Sequence, residues 1–280
     1  MEIAATTSAR DAAPQPFGAY LRHWRRHRHL SQLDLAQEAE ISTRHLSFVE
    51  TGRSLPSREM VLRLAERLAV PLRERNALLV AAGYAPMYRQ RPLDDPALAA
   101  ARRAVDLILK CHEPYPALAV DRHWNLVAAN RMLPHLLVGA DPTLLRPPVN
   151  VLRLSLHPQG LAPSIVNLVQ WRGHLFERLR QQIQATGDRA LAALLDELRG
   201  YPVPAGADAV HVAGEHLGVA MPLQFRTRLG VLNFISTTTI FGTPVDVTLQ
   251  ELALETFFPA DAPTSEALVR LAREIADGGA

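Results

Sequence analysis

Hydrogen-bonding side chains are concentrated in one stretch of the sequence, between residues 28 and 53. The group consists of Arg28, Gln32, Ser42, Thr43, Arg44, Ser47 and Arg53. Hydroxyl and amide groups both donate and accept hydrogen bonds, and an arginine guanidinium can donate two parallel bonds to one planar acceptor. These are the groups with which proteins hold phosphates and read base edges. The stretch is therefore a candidate nucleic-acid-binding surface.

Two short helices with a tight break between them are predicted to position these groups. Ser31 is a candidate N-cap, and apolar residues follow it at helical spacing. A turn at 40–42 leads to a second N-cap, Ser42, and Gly52 is placed to end the helix that follows. The first turn of the second helix then faces solvent, as in a helix-turn-helix that enters the major groove of DNA. Two amphipathic helices joined by a short turn also occur in many helical domains that bind no DNA.

The flanking segments favour the DNA-binding interpretation. Residues 17–30 are predicted to form an amphipathic helix with Leu21 and Trp24 inward and arginines outward, and further helices are expected from Pro56 and Pro71. Residues 17–88 resemble the lambda-repressor-like five-helix domain of the xenobiotic-response-element (XRE) regulator family. The LSQ at 30–32, the ExGRxxPS run at 50–57 and the AAGYAP at 81–86 carry the resemblance. It implies an all-α, five-helix DNA-binding domain.

Four residues are the expected sources of base contacts. Thr43, Arg44 and Ser47 lie in or near the first turn of the second helix. Arg44 either binds guanine O6 and N7 in bidentate fashion or makes an ordinary phosphate contact. The resemblance implies that Gln32, at the start of the first helix of the motif, touches a phosphate or an adenine edge.

Phosphate contacts are expected from Ser42, from Arg53 and from either Arg25 or Arg28. The charge distribution agrees with this, although the whole chain has a net charge of only +2. Residues 1–90 contain 13 arginines against 9 acidic residues, whereas residues 91–280 contain 17 basic and 19 acidic residues. The excess of positive charge thus lies on the segment that would meet double-stranded DNA.

Length and composition predict a globular protein of two domains. The chain has 280 residues, 48% of them hydrophobic. It has no run of 18 apolar residues and no signal-like N-terminus, so we expect a cytoplasmic protein without membrane contact. The single cysteine, Cys111, has no partner for an intrachain disulfide. We expect a flexible arm at 1–15, the helical domain at 16–88, a linker and connecting helix at 89–112 and a second domain at 113–280.

Alternating patterns in the second domain predict an α+β fold with an antiparallel sheet. The expected strands are 117–120, 124–128, 219–228, 231–241 and 249–259, with helices between them and a last helix at 264–276. The residues expected to share one sheet face are Leu232, Phe234, Ile240, Leu252, Leu254 and Phe258. Glu251 and Glu255 are expected on the other face. Helices packed on one side of the sheet would leave a hollow between sheet and helices.

This order of elements, with the sequences at 150–180 and 241–261, resembles the PAS-like MmyB-type ligand-binding domain, which is joined to XRE-type readers in bacterial regulators. The resemblance implies a homodimeric transcription regulator whose cavity takes an apolar or fatty-acid-like molecule and needs no other cofactor. The candidate ligand-binding residues are Trp124, His157, Trp171, Arg172, Phe176 and Phe234, with Phe225, His174 and Arg178 as further candidates. One of the basic residues would pair with an acid head group. Each aromatic residue has an alternative as simple core, and each polar one as part of a solvated helix face.

Two other functions stay open on the sequence. A metal enzyme could use His211, Glu215 and His216, although the HEXXH pattern is absent. A self-cleaving Ser–Lys repressor is disfavoured because Lys110, the only lysine, lies in the connecting helix. An antitoxin-like protein-interaction module is the other alternative. The favoured prediction is a regulator without catalytic or metal-binding residues, which binds a palindromic operator with half-sites about 34 Å apart.

Overall fold

The computed structural model describes residues 16–203, 221–242, 244 and 246–278. The predicted arm at 1–15 and the candidate metal ligands His211, Glu215 and His216 lie outside these residues. The chain divides into two units between Arg89 and Gln90. No helix in the described ranges is long and apolar enough to cross a membrane.

Five helices form the N-terminal unit, as the sequence predicts. They are α1 Phe17–His27, α2 Gln32–Glu38, α3 Thr43–Glu50, α4 Arg58–Arg67 and α5 Leu72–Ala81. The hydroxyls of Ser31, Ser42 and Ser57 accept the backbone N–H three residues further on, at 3.1, 3.1 and 3.2 Å. A serine N-cap is worth about 1 kcal/mol of helix stability. These three serines therefore determine where α2, α3 and α4 begin.

A leucine-rich core holds the five helices together. Its fully buried members include Leu21, Leu35, Leu46, Leu64, Leu68, Leu78 and Leu79. Helix α1 lies in close contact with α3 at Gly18, where a Cβ atom would overlap the carbonyl oxygen of Glu50. The missing side chain at Gly18 therefore permits the contact between α1 and the helix that carries the predicted base readers.

The second unit is an α+β domain built on a five-stranded antiparallel sheet. Its strands are β1 Ala117–Val120, β2 Leu126–Ala129, β3 Pro222–Thr227, β4 Gly230–Ile240 and β5 Ala253–Pro259, in the order β2-β1-β5-β4-β3. Its helices are α6 Ala99–Cys111, α7 Val151–Leu156, α8 Leu168–Thr186, α9 Arg189–Arg199, α10 Val247–Gln250 and α11 Ala262–Gly278. The start of the last predicted strand is instead the short helix α10, because Asp246 accepts the Thr248 N–H at 2.9 Å and caps it.

Separate apolar cores lie on the two faces of the sheet. Leu118 and Phe234 belong to the larger core, which includes residues of α7, α8, α9 and α11. Ala119 and Leu254 belong to a smaller core with Val105 of α6. The prediction that helices pack on one side only is therefore wrong, because α6 covers the opposite face.

The register between β4 and β5 assigns Glu255 to the face of the larger core. Thr238 lies directly opposite Glu255, and Phe234 is four residues before Thr238, so all three share a face. Of the six apolar residues expected on one face, Leu232 and Phe234 are in the larger core, Leu252 and Leu254 in the smaller, and Ile240 and Phe258 are 66% and 43% exposed. Glu255 lies on the opposite face from Leu252 and Leu254, as expected, but it shares a face with Leu232 and Phe234, so that part of the prediction is wrong. The reason is that the alternation within each strand does not show which face of β4 continues into which face of β5.

Candidate DNA interface and ligand cavity

The amino end of α3 carries the residues predicted to read bases. Ser42 is the N-cap, Arg44 is exposed, and Thr43 and Ser47 are half-buried. The Arg44 guanidinium lies 5.3 Å from the centre of the Phe48 ring, one turn further along the helix. This cation–π contact restrains the arginine and leaves its N–H donors at the surface. The arrangement is suited to donating hydrogen bonds into a groove.

Arg53, in the loop after α3, packs on the same aromatic ring. Its guanidinium lies 5.9 Å from the Phe48 ring centre, and the residue is exposed. Phe48 thus holds Arg44, on α3, and Arg53, in the following loop, beside one aromatic ring. This shared contact could not be predicted from the sequence, because either arginine alone looks like an ordinary surface residue.

A buried carboxylate fixes the orientation of Gln32, the first residue of α2. Its Nε2 donates to Glu50 Oε2 at 2.8 Å. This bond uses one of the two N–H donors of the amide. Gln32 therefore has a fixed amide orientation and retains donor capacity for a phosphate or base.

Arg25 is a structural residue, and its expected role as a DNA clamp is wrong. It is 8% exposed, its Nε and Nη2 donate to Glu50 at 2.6 and 2.9 Å, and its Nη1 donates to the Leu30 carbonyl at 2.9 Å. The physical reason is position: Arg25 lies one turn after the buried Leu21, on the inward stripe of α1. Burial, the largest influence, opposes ionisation of Glu50, but the hydrogen bonds of Arg25 and Gln32 and the nearby arginine charges outweigh it and lower the pKa of Glu50.

Arg28 joins α1 to the end of α4. Its Nε donates to the Leu68 carbonyl at 2.9 Å and its Nη2 to the Ala69 carbonyl at 3.1 Å. The guanidinium also lies 5.2 Å from the centre of the Trp24 ring. Desolvation by these neighbours lowers the pKa of Arg28. The guanidinium is thus engaged within the domain, and its phosphate contact stays a prediction.

An apolar cavity of about 110 Å³ lies in the second unit. Its walls come from the sheet and from α7, α8 and the segments next to them. Three of the predicted ligand-binding residues, Trp124, Trp171 and Phe234, line it together with Phe225. The sequence therefore identified much of the aromatic wall.

The other three predicted ligand-binding residues do not line the cavity. The His157 Nδ1 accepts the Gln159 N–H at 3.1 Å, and its ring packs 5.0 Å from that of Tyr201. Arg172 donates to the carbonyls of Leu198, Arg199 and Tyr201 at 3.2, 2.6 and 2.8 Å, and lies 5.0 Å from the Phe176 ring centre. Arg172 therefore donates to carbonyls at and just after the end of α9, where the last carbonyls of a helix lack the partners found in its interior. Phe176 packs beneath it in the core.

The charged residues that line the cavity are Arg178 and Glu255. Arg178 Nη1 and Nη2 donate to the two carboxylate oxygens of Glu255 at 3.0 and 2.7 Å. The guanidinium also lies 4.7 Å from the centre of the Trp124 ring. Arg178 was a further candidate from the sequence, whereas Glu255 was missed because its face was predicted wrongly.

Both indole N–H groups at the cavity are satisfied by neighbouring side chains. Trp124 Nε1 donates to Gln182 Oε1 at 2.8 Å, and Trp171 Nε1 donates to the Ser155 hydroxyl at 3.1 Å. These bonds satisfy the polar atom of each indole, so that both rings can line an apolar cavity.

His174, a further candidate for pairing with an acid head group, lies one turn before Arg178 on α8. Burial, and then the positive charge of Arg178, lower the pKa of His174, and Glu255 opposes them only in part. His174 is therefore neutral near pH 7 and supplies no positive charge to a ligand. Within the described ranges, no group of three or more His, Cys, Asp or Glu side chains could hold a metal ion.

A five-helix unit with a helix-turn-helix, followed by a sheet domain with an apolar cavity, is the arrangement of a helix-turn-helix transcription regulator with a ligand-binding domain. The model of a helix-turn-helix domain matches residues 16–78, and that of the MmyB-like transcription regulator ligand binding domain matches residues 101–271. The chain belongs to this MmyB-like family. No curated protein matches it. Among solved structures it is similar to the clp gene regulator ClgR from Corynebacterium glutamicum, with 24% identity over 35% of this chain and 90% of that chain and a TM-score of 0.21.

Proposed function

We propose that this protein is a ligand-responsive regulator that reads an operator with α3 and binds a small, largely apolar molecule in its cavity. The observation that carries the proposal is the cavity lining. Apart from Ser155, Arg178 and Glu255, every residue that lines it is apolar or aromatic. Protein interiors are otherwise close-packed, and an apolar hollow with a few polar groups is the usual form of a small-molecule site.

The cavity volume favours a compact ligand. A volume of about 110 Å³ is comparable with the engineered cavity of roughly 150 Å³ that accepts benzene. Among fatty acids, the kind of ligand that the family resemblance suggests, a short-chain one matches this volume best. The PAS-like character of the domain is likewise an inference from that resemblance.

The DNA part of the proposal assigns base reading to Thr43, Arg44 and Ser47 at the amino end of α3. Phosphate contacts are assigned to Ser42, Arg28 and Arg53, and Gln32 is assigned to a phosphate or an adenine edge. The support is the exposure of Arg44 and Arg53 and the fixed orientation of the Gln32 amide. The amino end of α3 adds a partial positive charge that favours an anion.

We propose further that the protein acts as a homodimer on a palindromic operator. Two copies of α3 related by two-fold symmetry would enter successive major grooves with a spacing of about 34 Å. Selection from random duplexes with the full-length protein at moderate salt tests both parts. We expect an inverted repeat with half-site centres about 10 base pairs apart. Failure to enrich any sequence contradicts DNA reading, whereas enrichment of a single half-site contradicts only the dimer.

Ligand binding is tested with toluene and with a series of short alcohols on the full-length protein. A ligand that binds only the folded state stabilises it by RT ln(1 + [L]/Kd) and therefore raises the melting temperature as the ligand concentration increases. We expect stabilisation by toluene and by the shorter alcohols and none by long-chain ones. Absence of stabilisation by every probe contradicts the ligand role of the cavity. A change in operator affinity on saturation with the bound probe then tests coupling between the two sites.

A further inference from the structure

One closed network contains the charged groups of the cavity wall. Besides its two bonds to Glu255, Arg178 donates through Nη2 to the Thr238 hydroxyl at 2.7 Å. Thr238 in turn donates to Glu255 Oε1 at 2.9 Å. The side chains of Arg178 and Glu255 are 21% and 5% exposed. One positive and one negative charge are therefore matched at close range, with little access to water.

This pairing leaves the cavity wall without net charge. A lone buried arginine would be a strong site for a carboxylate, because it can donate two parallel hydrogen bonds to it. Here Glu255 already occupies that paired position. A ligand carboxylate would lose its own hydration in the cavity and meet the negative charge of Glu255, with no unmatched positive charge to offset either cost.

Hydrogen-bond donors nevertheless remain at the wall. A guanidinium has five N–H groups and no acceptor, and the bonds of Arg178 to Glu255 and Thr238 use three of them. The Ser155 hydroxyl accepts the Trp171 indole N–H and still has a hydrogen of its own to donate. The wall can therefore recognise an uncharged oxygen acceptor.

We infer that the Arg178–Glu255 pair sets ligand specificity: it admits uncharged molecules with an accepting oxygen, such as amides, ketones and alcohols, and rejects carboxylates of the same shape. The inference rests on the proposed ligand role of the cavity. Glu255 is the specificity-determining member, because it converts an arginine that would attract acids into half of a neutral pair.

Benzamide and benzoate, which have the same shape and differ in charge, are the probes. Their dissociation constants for the full-length protein are measured by titration calorimetry near pH 7.5. In the unmodified protein we expect benzamide to bind at least about tenfold more tightly than benzoate, because only benzoate must be desolvated as an ion. This ratio requires no variant.

Glu255→Gln frees Arg178 to pair with a ligand and retains the size of the side chain. We expect the preference to reverse, so that benzoate binds more tightly than benzamide. Glu177→Gln is the matched control, because it removes one negative charge from the neighbouring position of α8. Glu177 is exposed and pairs with Arg180 at 2.9 Å, away from the cavity lining. We expect this variant to keep the original ratio.

The outcomes separate the inference from the proposed function. Equal binding of the two probes, a preference for benzoate in the unmodified protein, or an unchanged ratio in a folded Glu255→Gln protein overturns the inference and leaves the ligand role intact. Binding of toluene without binding of benzamide also overturns the inference and leaves the ligand role intact. If toluene, benzamide and benzoate all fail to bind, the proposed ligand role is overturned and the inference with it.

Discussion

Arg25 and Glu50 form a bidentate ion pair between α1 and α3, with N–O distances of 2.6 and 2.9 Å. The Glu50 side chain is fully buried and that of Arg25 is 10% exposed. The same carboxylate accepts the amide of Gln32. One buried acidic group thus connects the helix that precedes the motif, the first helix of the motif and the helix proposed to read DNA.

Removing the charge of Glu50 should destabilise the N-terminal unit. Glu50→Gln leaves the buried Arg25 without its counter-ion, and breaking such a pair costs roughly 3–5 kcal/mol. Hydrogen exchange of α1, α2 and α3 in the full-length protein measures the loss. Glu38→Gln, at an exposed position of α2, should leave exchange unchanged.

The same pair predicts a pH dependence. Because the pKa of Glu50 is lowered in the folded protein, its contribution to stability is present above the unfolded carboxyl pKa of about 4.3 and is lost as the pH falls through the folded value. We expect protection of α1 to α3 to decline below about pH 4.3. Glu50→Gln should lack this component of the decline. An acid profile of the variant that parallels the unmodified protein would show that Glu50 does not control it.

Arg44→Ala should reduce discrimination between operators. If Arg44 makes a bidentate contact with guanine, its loss weakens the binding free energy by about 1–3 kcal/mol for the selected operator and by little for unrelated DNA. Gel shifts with selected and scrambled duplexes measure the difference. Arg67→Ala, which removes an exposed arginine from the last turn of α4, is the control. Equal weakening on both duplexes would identify a phosphate contact instead.

Arg53→Ala should weaken binding to all sequences alike. A residue that neutralises a phosphate releases a counter-ion, so its loss lowers the slope of log K against log salt by about 1. Affinities for one operator across a salt series measure this slope. A change in sequence preference at constant slope would contradict the assignment.

Filling the cavity should abolish ligand binding. Leu137 is half-buried and lines the cavity, whereas the next residue, Val138, is 81% exposed. We expect Leu137→Phe to remove the stabilisation by toluene, because the larger ring occupies part of a volume of about 110 Å³. Val138→Phe adds an aromatic ring beside the cavity and should preserve stabilisation. Equal responses of the two variants would place the toluene site elsewhere.

Two helical glycines should respond oppositely to alanine. Gly18→Ala forces a methyl group against the Glu50 backbone of α3, and such overpacking costs typically about 1–3 kcal/mol. Gly173 lies in α8 with no atom within 4 Å of the position of an added Cβ. Gly173→Ala should therefore stabilise the protein by about 0.5–1 kcal/mol through helix propensity. Hydrogen exchange of α1 and α8 distinguishes the two effects.

The N-terminal unit could be predicted well because its signals are local. Ser31 and Ser42 cap helices within three residues of their own positions, and the leucines follow the helical period. The role of Arg25 could not be predicted in this way, since its partner Glu50 is 25 residues distant. The available signal was the inward position of Arg25 on the helical wheel, but a charged side chain is normally expected to face solvent.

The types of residue that line the cavity could be predicted from the sequence, but the arrangement of their side chains could not. Arg172 and Arg178 both lie on α8, and at about 100° per residue they point to different faces. Only the packing of α8 decides that Arg178 meets Glu255 while Arg172 meets the end of α9. Likewise, the face of Glu255 follows from the β4–β5 register, which depends on long-range pairing.

The hydrogen-bonded indoles of the cavity have a practical consequence. The sequence contains three tryptophans; Trp124 and Trp171 line the cavity, and Trp24 is buried in the core of the N-terminal unit. Two of the three tryptophan fluorophores therefore lie at the cavity. With Trp24→Phe, emission would report solely on that wall, so occupancy could be followed optically, without a label, while the protein is bound to DNA.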